Sequence, residues 1–175
     1  KVSDPAWKTW DPKFSNYDVV IQACNDKDEV ERWTAAIECQ LEEFVAAGGG
    51  LYILHSANNA FPHWPEYNRM IGLGWRNKDF GPAITLDKNG QPQRIPAGEG
   101  SDTFHGDRNN IVLTRLGEHP IHTNLPRQWM VADLEVYCYA RGPAENLTVL
   151  SYAKDLETQL NFPIEWTVDY GKGRV

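Results

Sequence analysis

Four of the five histidines stand where they could do chemistry. Imidazole titrates near neutrality, so it can take a proton, give one or hold a metal. His55-Ser56 lies within the stretch GGGLYILHSANNAF, directly after an apolar run. His105-Gly106 lies in Asp102-Thr103-Phe104-His105-Gly106-Asp107, and a ring beside glycine can approach a ligand closely. His119 and His122 flank Pro120-Ile121 after Glu118, and His119, being before proline, is held extended. Glu135 and Tyr137 are two apart in a strand-like run, so both face one side. A carboxylate in such a run needs a partner, because burying it unpaired is costly. The constellation suits proton transfer, with His55 and His105 moving protons and Glu135 orienting or charge-balancing one of them. Each residue also has a quieter use. His55 can cap a turn, His105 can sit in a solvated loop, His119 can bond a loop carbonyl, and Glu135 can pair with Arg141.

Other chemistries fit less well. A nucleophile elbow reads G-x-S-x-G, whereas Leu54-His55-Ser56-Ala57-Asn58 does not. Adjacent extended residues point opposite ways, so His55 is badly placed to activate Ser56, and Ser56 reads as a hydrogen-bonding group. The three cysteines, Cys24, Cys39 and Cys138, have no C-x-x-C spacing and read as small core residues. No H-x-x-x-H or H-E-x-x-H signature is present, so metal ligands are unknown; His55, His105 and His119 are the candidate set for a divalent metal.

The chain of 175 residues can bury one core. No apolar run is long enough to cross a bilayer, and no signal-peptide pattern opens the chain, which leaves its compartment undetermined. A net charge of −7 with scattered Lys and Arg argues against nucleic acid and against an anionic membrane surface. Seven Trp and seven Tyr fill cores but also stack on sugar rings, so carbohydrate is an early expectation. The sequence requires no cofactor, and it leaves a divalent metal and a homo-oligomer open.

The elements that must carry these residues begin as a βαβ unit. Tyr17 to Cys24 is apolar and β-branched, as in a strand buried on both faces of a parallel sheet. Asn25, Asp26 and Asp28 offer N-caps, and apolar residues from Val30 to Val45 recur at helical spacing before Ala46-Ala47-Gly48. Leu51 to Leu54 is then a parallel neighbour, with His55 past its carboxyl end, the edge where open α/β sheets bind ligands. A short helix is expected over Glu66 to Ile71, entered through Pro65. The long Gly- and Pro-rich segment Gly72 to Asp102 suits a lid over a pocket faced by His55, with a hairpin turning at Asn89-Gly90. Further strands are expected over Asn110 to Thr114, Leu134 to Tyr139, Leu147 to Ala153 and Pro163 to Val168, without long helices between them. Both ends look cut, one strand and helix short at the start and one strand short at the end.

Six stretches in order, GGGLYILHSANNAF, WPEYNRMIG, FHGD, EHPIHTNLP, ARGPAENLTVLSYA and PIEWTVDYGKGRV, resemble the trehalose-utilisation (ThuA-like) family from Tyr17 onward. The resemblance implies one α/β domain over residues 1–175, a flavodoxin-like three-layer sandwich with a mostly parallel central sheet, related to class I glutamine amidotransferases. His55-Ser56, Trp64, Glu66, Tyr67, Asn68, His105-Gly106, His119-Pro120-Ile121, Glu135 and Tyr137 match family positions. Leu134 stands where the family has Asp, and His122 where it commonly has Thr. The amidotransferase nucleophile is a Cys where this chain has His55-Ser56, so thiolate glutamine hydrolysis is not expected. The resemblance implies sugar metabolism, with a (3-keto) glucoside or disaccharide as substrate. His55, His105 and Glu135 are then the catalytic candidates. Ser56, Asn58, Trp64, Trp75, His119 and Tyr137 are the substrate-binding candidates. A non-catalytic sugar-binding module and a metal-dependent hydrolase remain as alternatives.

Overall fold

The computed structural model describes residues 9–25 and 33–175. The chain divides into two compact units, Lys1–Ile71 with Asp169–Val175, and Gly72–Val168.

In the first unit, strand β1 (Val19–Gln22) pairs in parallel with β2 (Gly50–Ile53), Ile21 facing Tyr52. Helix α1 (Ala35–Ala46) makes the crossover expected of a βαβ unit. Thr34 caps it, its hydroxyl accepting from the Ile37 amide at 3.4 Å. Of the expected start, Asp26, Asp28 and Val30 lie outside the described residues, while Asn25 and Trp33 precede the helix, which begins later than the apolar spacing suggests. Ile37, Leu41 and Val45 stand four apart on one face and pack with Leu51, Phe61, Trp64 and Tyr67. Gly48, at φ 124°, follows the helix as its stop. The strand burial expected for β1 is not found: Val19 and Ile21 are 54 % and 66 % exposed, while Gln22 is buried. β-Branched composition favours a strand, but neighbours decide which face is covered. Helix α2 (Pro65–Ile71) starts on proline, whose missing N–H costs nothing at a first turn.

The second unit is built from antiparallel strands. β3 (Ala83–Leu86) and β4 (Pro92–Ile95) form the expected hairpin. Asp87 Oδ1 accepts from the Asn89 and Gln91 amides at 2.8 and 2.9 Å, and Gly90 takes φ 77°. β5 (Asn109–Arg115) lies between β6 (Gln128–Leu134) and β7 (Leu147–Lys154), and β7 pairs with β8 (Asn161–Tyr170). The last two residues of β8 pair antiparallel with β9 (Gly173–Arg174), which is parallel to β2 in the first unit.

The fold is therefore α/β with a mixed sheet and few helices. The mostly parallel sheet expected from the resemblance is a correction: among the described residues parallel pairing is confined to β1, β2 and β9. Parallel neighbours need a crossover of a dozen residues or more, and the joint between β7 and β8, residues 155–160, is too short for one. A second correction concerns Leu134 to Tyr139. The strand runs earlier, over β6, and ends near a register shift opposite Asn109. Beyond it, Cys138 keeps one bridge with Phe104.

Arg141 organises the 72–102 segment. It is fully buried and donates to the carbonyls of Gly81, Pro96, Glu99 and Ser101. The segment expected to be a lid is thus pinned along its length from beneath. Arg141 is committed to these carbonyls, and Glu135 takes its ion pair elsewhere.

Candidate functional site

In the second unit the structure brings four predicted residues together at one end of the β5–β6 pair. His105 precedes β5, Glu135 and Tyr137 follow β6, and Trp75 comes from the start of the pinned segment. The His105 and Tyr137 rings stack with centroids 5.9 Å apart and planes 12° apart. Trp75 stands edge-on to both, 5.7 Å from His105 and 4.9 Å from Tyr137. The cross-chain anchor is backbone pairing between Phe104 and Cys138, reinforced by buried Thr103, whose hydroxyl lies 2.9 Å from the Tyr139 carbonyl.

The imidazole orientation follows from its neighbours. His105 Nδ1 is 2.8 Å from the Gly106 carbonyl, which can only accept, so Nδ1 carries the proton. The neutral ring then has its lone pair on Nε2, which lies 3.9 Å from Glu135 Oε2. That gap is too long for a direct hydrogen bond. Gly106 keeps the loop tight: a Cβ there would stand 3.3 Å from Glu157 Oε2.

Sequence reading missed Arg108. Its guanidinium donates to Glu135 Oε1 at 2.7 Å and reaches Asp133 at 3.4 Å. The Glu135 hydrogen bond, then its charge and that of Asp133, raises the arginine pKa further. Arg108 thus holds Glu135 by one oxygen and leaves the other toward His105. The signal was present, since Arg108 follows His105 by three residues in FHGDRNN and enters the strand paired with β6.

His119 stands apart from this cluster. It lies beyond the other end of β5, roughly 20 Å along the strand from His105 at about 3.3 Å per residue. Its Nδ1 accepts from the Ile121 amide at 3.3 Å, capping the short turn Pro120–His122. His105 and His119 therefore cannot share one metal ion. Among the described residues no group of three or more His, Cys, Asp and Glu is arranged to hold a metal.

In the first unit, His55 opens a tight turn, His55–Asn59, directly after β2, at φ 48°. A left-handed conformation at a non-glycine residue is strained, and such strain clusters at functional sites. The ring is exposed, Ser56 is half-buried, and Asn58 is buried with its Oδ1 unpaired among the described residues. Tyr67 Oη donates to the Ala57 carbonyl at 2.8 Å, and Asn68 Nδ2 to the carbonyls of Phe61, Pro62 and Trp64. Tyr67 and Asn68 are thus the scaffold of the turn. Trp64, expected to stack on a substrate, is core: it is 2 % exposed, stacks on Tyr67 and donates Nε1 to Glu42 at 2.6 Å. An indole in the sequence carries no mark of which way it faces.

The expectation that all three cysteines are small core residues holds for Cys138 alone: Cys24 and Cys39 are exposed. Burial, followed by the charge of Asp155, pushes the Cys138 thiol up to about 12, so it stays protonated at neutral pH.

The ThuA family model, described as trehalose utilisation, matches residues 2–175. A ThuA-like protein from Parabacteroides merdae has a crystal structure similar to this chain, with a TM-score of 0.82 and 34 % identity over 93 % of this chain and 59 % of that one. A ThuA-like protein from Bacteroides uniformis shares the fold at a TM-score of 0.59 and 18 % identity, over 93 % of this chain and 60 % of its own. This chain thus spans about 59 % of the length of the first of these relatives. No curated protein matches.

Proposed function

The chain belongs to the ThuA family, and from that membership we propose that it is a sugar-processing enzyme acting on a (3-keto) glucoside or disaccharide by histidine acid/base chemistry. The observation that carries this reading is the His105–Glu135 pair, with Nε2 and a carboxylate oxygen 3.9 Å apart beside Trp75 and Tyr137.

A C3 ketone acidifies the C2–H bond. His105 Nε2 takes that proton, the C–H electron pair becomes the C1–C2 double bond, and the C1–O bond breaks. The departing oxygen keeps the bond electrons and takes that proton back from the His105 imidazolium, releasing an alcohol and an unsaturated ketose. Glu135, held by Arg108, stabilises the imidazolium that forms. Trp75 offers an apolar face to the ring, and the Tyr137 hydroxyl meets a sugar hydroxyl. His55, with Ser56 and Asn58 on its strained turn, is the second candidate for moving a proton. The β1–α1–β2 crossover supports reading the first unit as part of a flavodoxin-like, amidotransferase-like frame.

The test is turnover of 3-keto-trehalose followed by NMR, in wild type, His105→Ala and His55→Ala. We expect His105→Ala to lose about 10²–10⁴-fold in turnover with its fold retained. Unchanged turnover in that variant removes His105 from the chemistry. Sugar binding without product in all three proteins favours a non-catalytic module.

A further inference from the structure

We infer that the free edge of β6 in the second unit pairs with the same edge of a second copy of this chain, antiparallel about a two-fold axis through Met130. The interface does not depend on the reading above, since neither His105 nor Glu135 lies in β6.

β6 stands at one end of the strand order and pairs with β5 alone among the described residues. The Arg115 amide donates to the Arg127 carbonyl at 3.0 Å, and the register sets Leu113 opposite Trp129 and Ile111 opposite Val131. Hydrogen-bonded pairs alternate along an antiparallel ladder, so Arg127, Trp129 and Val131 bond toward β5. Gln128, Met130 and Ala132 then turn their N–H and C=O groups to the open side. The irregularity at Asp133, with φ 55°, closes the stretch at its carboxyl end. Such a row of open groups is a template for another strand, and natural edges blunt it with proline, charge or a covered flank. β4, the open strand of the hairpin, has these devices: it starts on Pro92, and its Arg94 donates to the carbonyls of Pro143 and Ala144. Gln128 to Ala132 holds neither proline nor a charge.

The edge is complementary to itself. With Met130 opposite its own copy, Trp129 faces the partner's Val131 and Arg127 faces the partner's Asp133, each contact made twice. Arg127 is exposed and has no ion pair among the described residues, while the exposed Asp133 is held only by Arg108, at 3.4 Å. A chain of net charge −7 repels its own copy, and two Arg–Asp pairs at the ends of the edge offset that locally. Met130 is 65 % exposed, and Val112, opposite it on β5, is 51 % exposed. The two-fold joins both pairs of side chains into one apolar stripe across four strands. On the other face Trp129, edge-on to the buried His122 ring at 5.6 Å, meets a β-branched side chain, a favourable cross-strand pair. An axis on Trp129 or Val131 would meet bonding groups that already face β5, and one on Gln128 or Ala132 would part Arg127 from Asp133.

A strand edge is a small contact, so we expect a dissociation constant on the order of 100 µM. The test is sedimentation velocity of the purified chain from about 10 µM to about 1 mM, with amide hydrogen exchange followed by NMR at both ends of that range. The mass should rise from 19.9 kDa toward twice that value. The Gln128, Met130 and Ala132 amides should exchange fast when dilute and about fivefold more slowly when concentrated, whereas those of Trp129 and Val131 are slow throughout. Arg127→Glu sets a carboxylate against Asp133 and should weaken the dimer about tenfold. Met130→Pro removes the N–H at the axis without touching a bond to β5, and it should abolish the dimer. Its fold is checked by the Trp129 and Val131 amides, and Arg127→Glu, a surface change, decides the matter if Met130→Pro does not fold. A chain that stays at 19.9 kDa across the range overturns the proposal. So does a dimer whose Gln128, Met130 and Ala132 amides exchange as fast as in the monomer, or one as tight in Arg127→Glu as in wild type.

Discussion

His105 and Trp64 show how position, more than residue type, decides what a side chain can do. His105 owes its tautomer to one carbonyl, that of Gly106, and its free nitrogen faces a carboxylate that Arg108 holds in place. Trp64 and Trp75 were equal as sugar-stacking candidates, yet one is buried under α1 and the other edges the His105–Tyr137 pair. The two tryptophans should therefore separate in mutagenesis. Trp75→Ala should raise KM for the sugar about tenfold while leaving the urea midpoint nearly unchanged. Trp64→Phe should do the opposite, lowering stability by about 1–3 kcal/mol through lost packing and the lost Glu42 bond. Steady-state kinetics with urea denaturation of both variants checks the pair. None of this was readable from spacing. The sequence placed His105, Glu135 and Tyr137 as candidates, but the Arg108 clamp and the burial of His122 depend on strand register and on which residues lie across the sheet.

Among the elements, the 72–102 segment was expected to be a lid because it is long, polar and rich in glycine and proline. Its hairpin was legible, since Asp87-Lys88-Asn89-Gly90 is turn chemistry wherever it occurs. Its anchoring was not, because the anchor, Arg141, lies 40 to 60 residues downstream of the carbonyls it binds. Burial lowers the Arg141 pKa, yet the group stays a cation, its charge spread over main-chain carbonyls and the Tyr139 ring at 5.6 Å. Arg141→Met should leave those carbonyls unsatisfied and cost about 3 kcal/mol or more. Hydrogen exchange should quicken across 81–101, and limited proteolysis should cut there first. A variant as stable and as protected as wild type would mean that Arg141 is not the anchor. The displaced strand near Leu134 has a similar cause. Gln128 to Leu134 contains no clean alternation, and its pairing with β5 decides that it is a strand.

For the molecule as a whole, no helix among the described residues is long and apolar enough to cross a membrane. The three thiols divide by environment: Cys24 and Cys39 are exposed and Cys138 is buried. Cys138 ties global stability to pH. Its thiol rises from 9.0 to about 12 in the folded protein, so folding favours the protonated form. In the unfolded chain it ionises above its lower pKa. Its stabilising contribution is therefore whole below pH 9.0 and is lost as pH rises toward about 12. Urea midpoints measured across that window should fall, and should fall less steeply in Cys138→Ala. Equal slopes would show that other groups control the alkaline limb. By itself the sequence determined the α/β class, the βαβ opening, the hairpin and most strands, because apolar periodicity and turn residues act within a few neighbours, and six of its stretches resembled the family that the chain belongs to. Only the tertiary structure decided that the later strands run antiparallel, that Trp64 is core, that Arg141 braces the 72–102 segment, and that His105 and His119 lie at opposite ends of β5. Those outcomes depend on which distant residues meet across a sheet, and spacing along a chain does not carry that information.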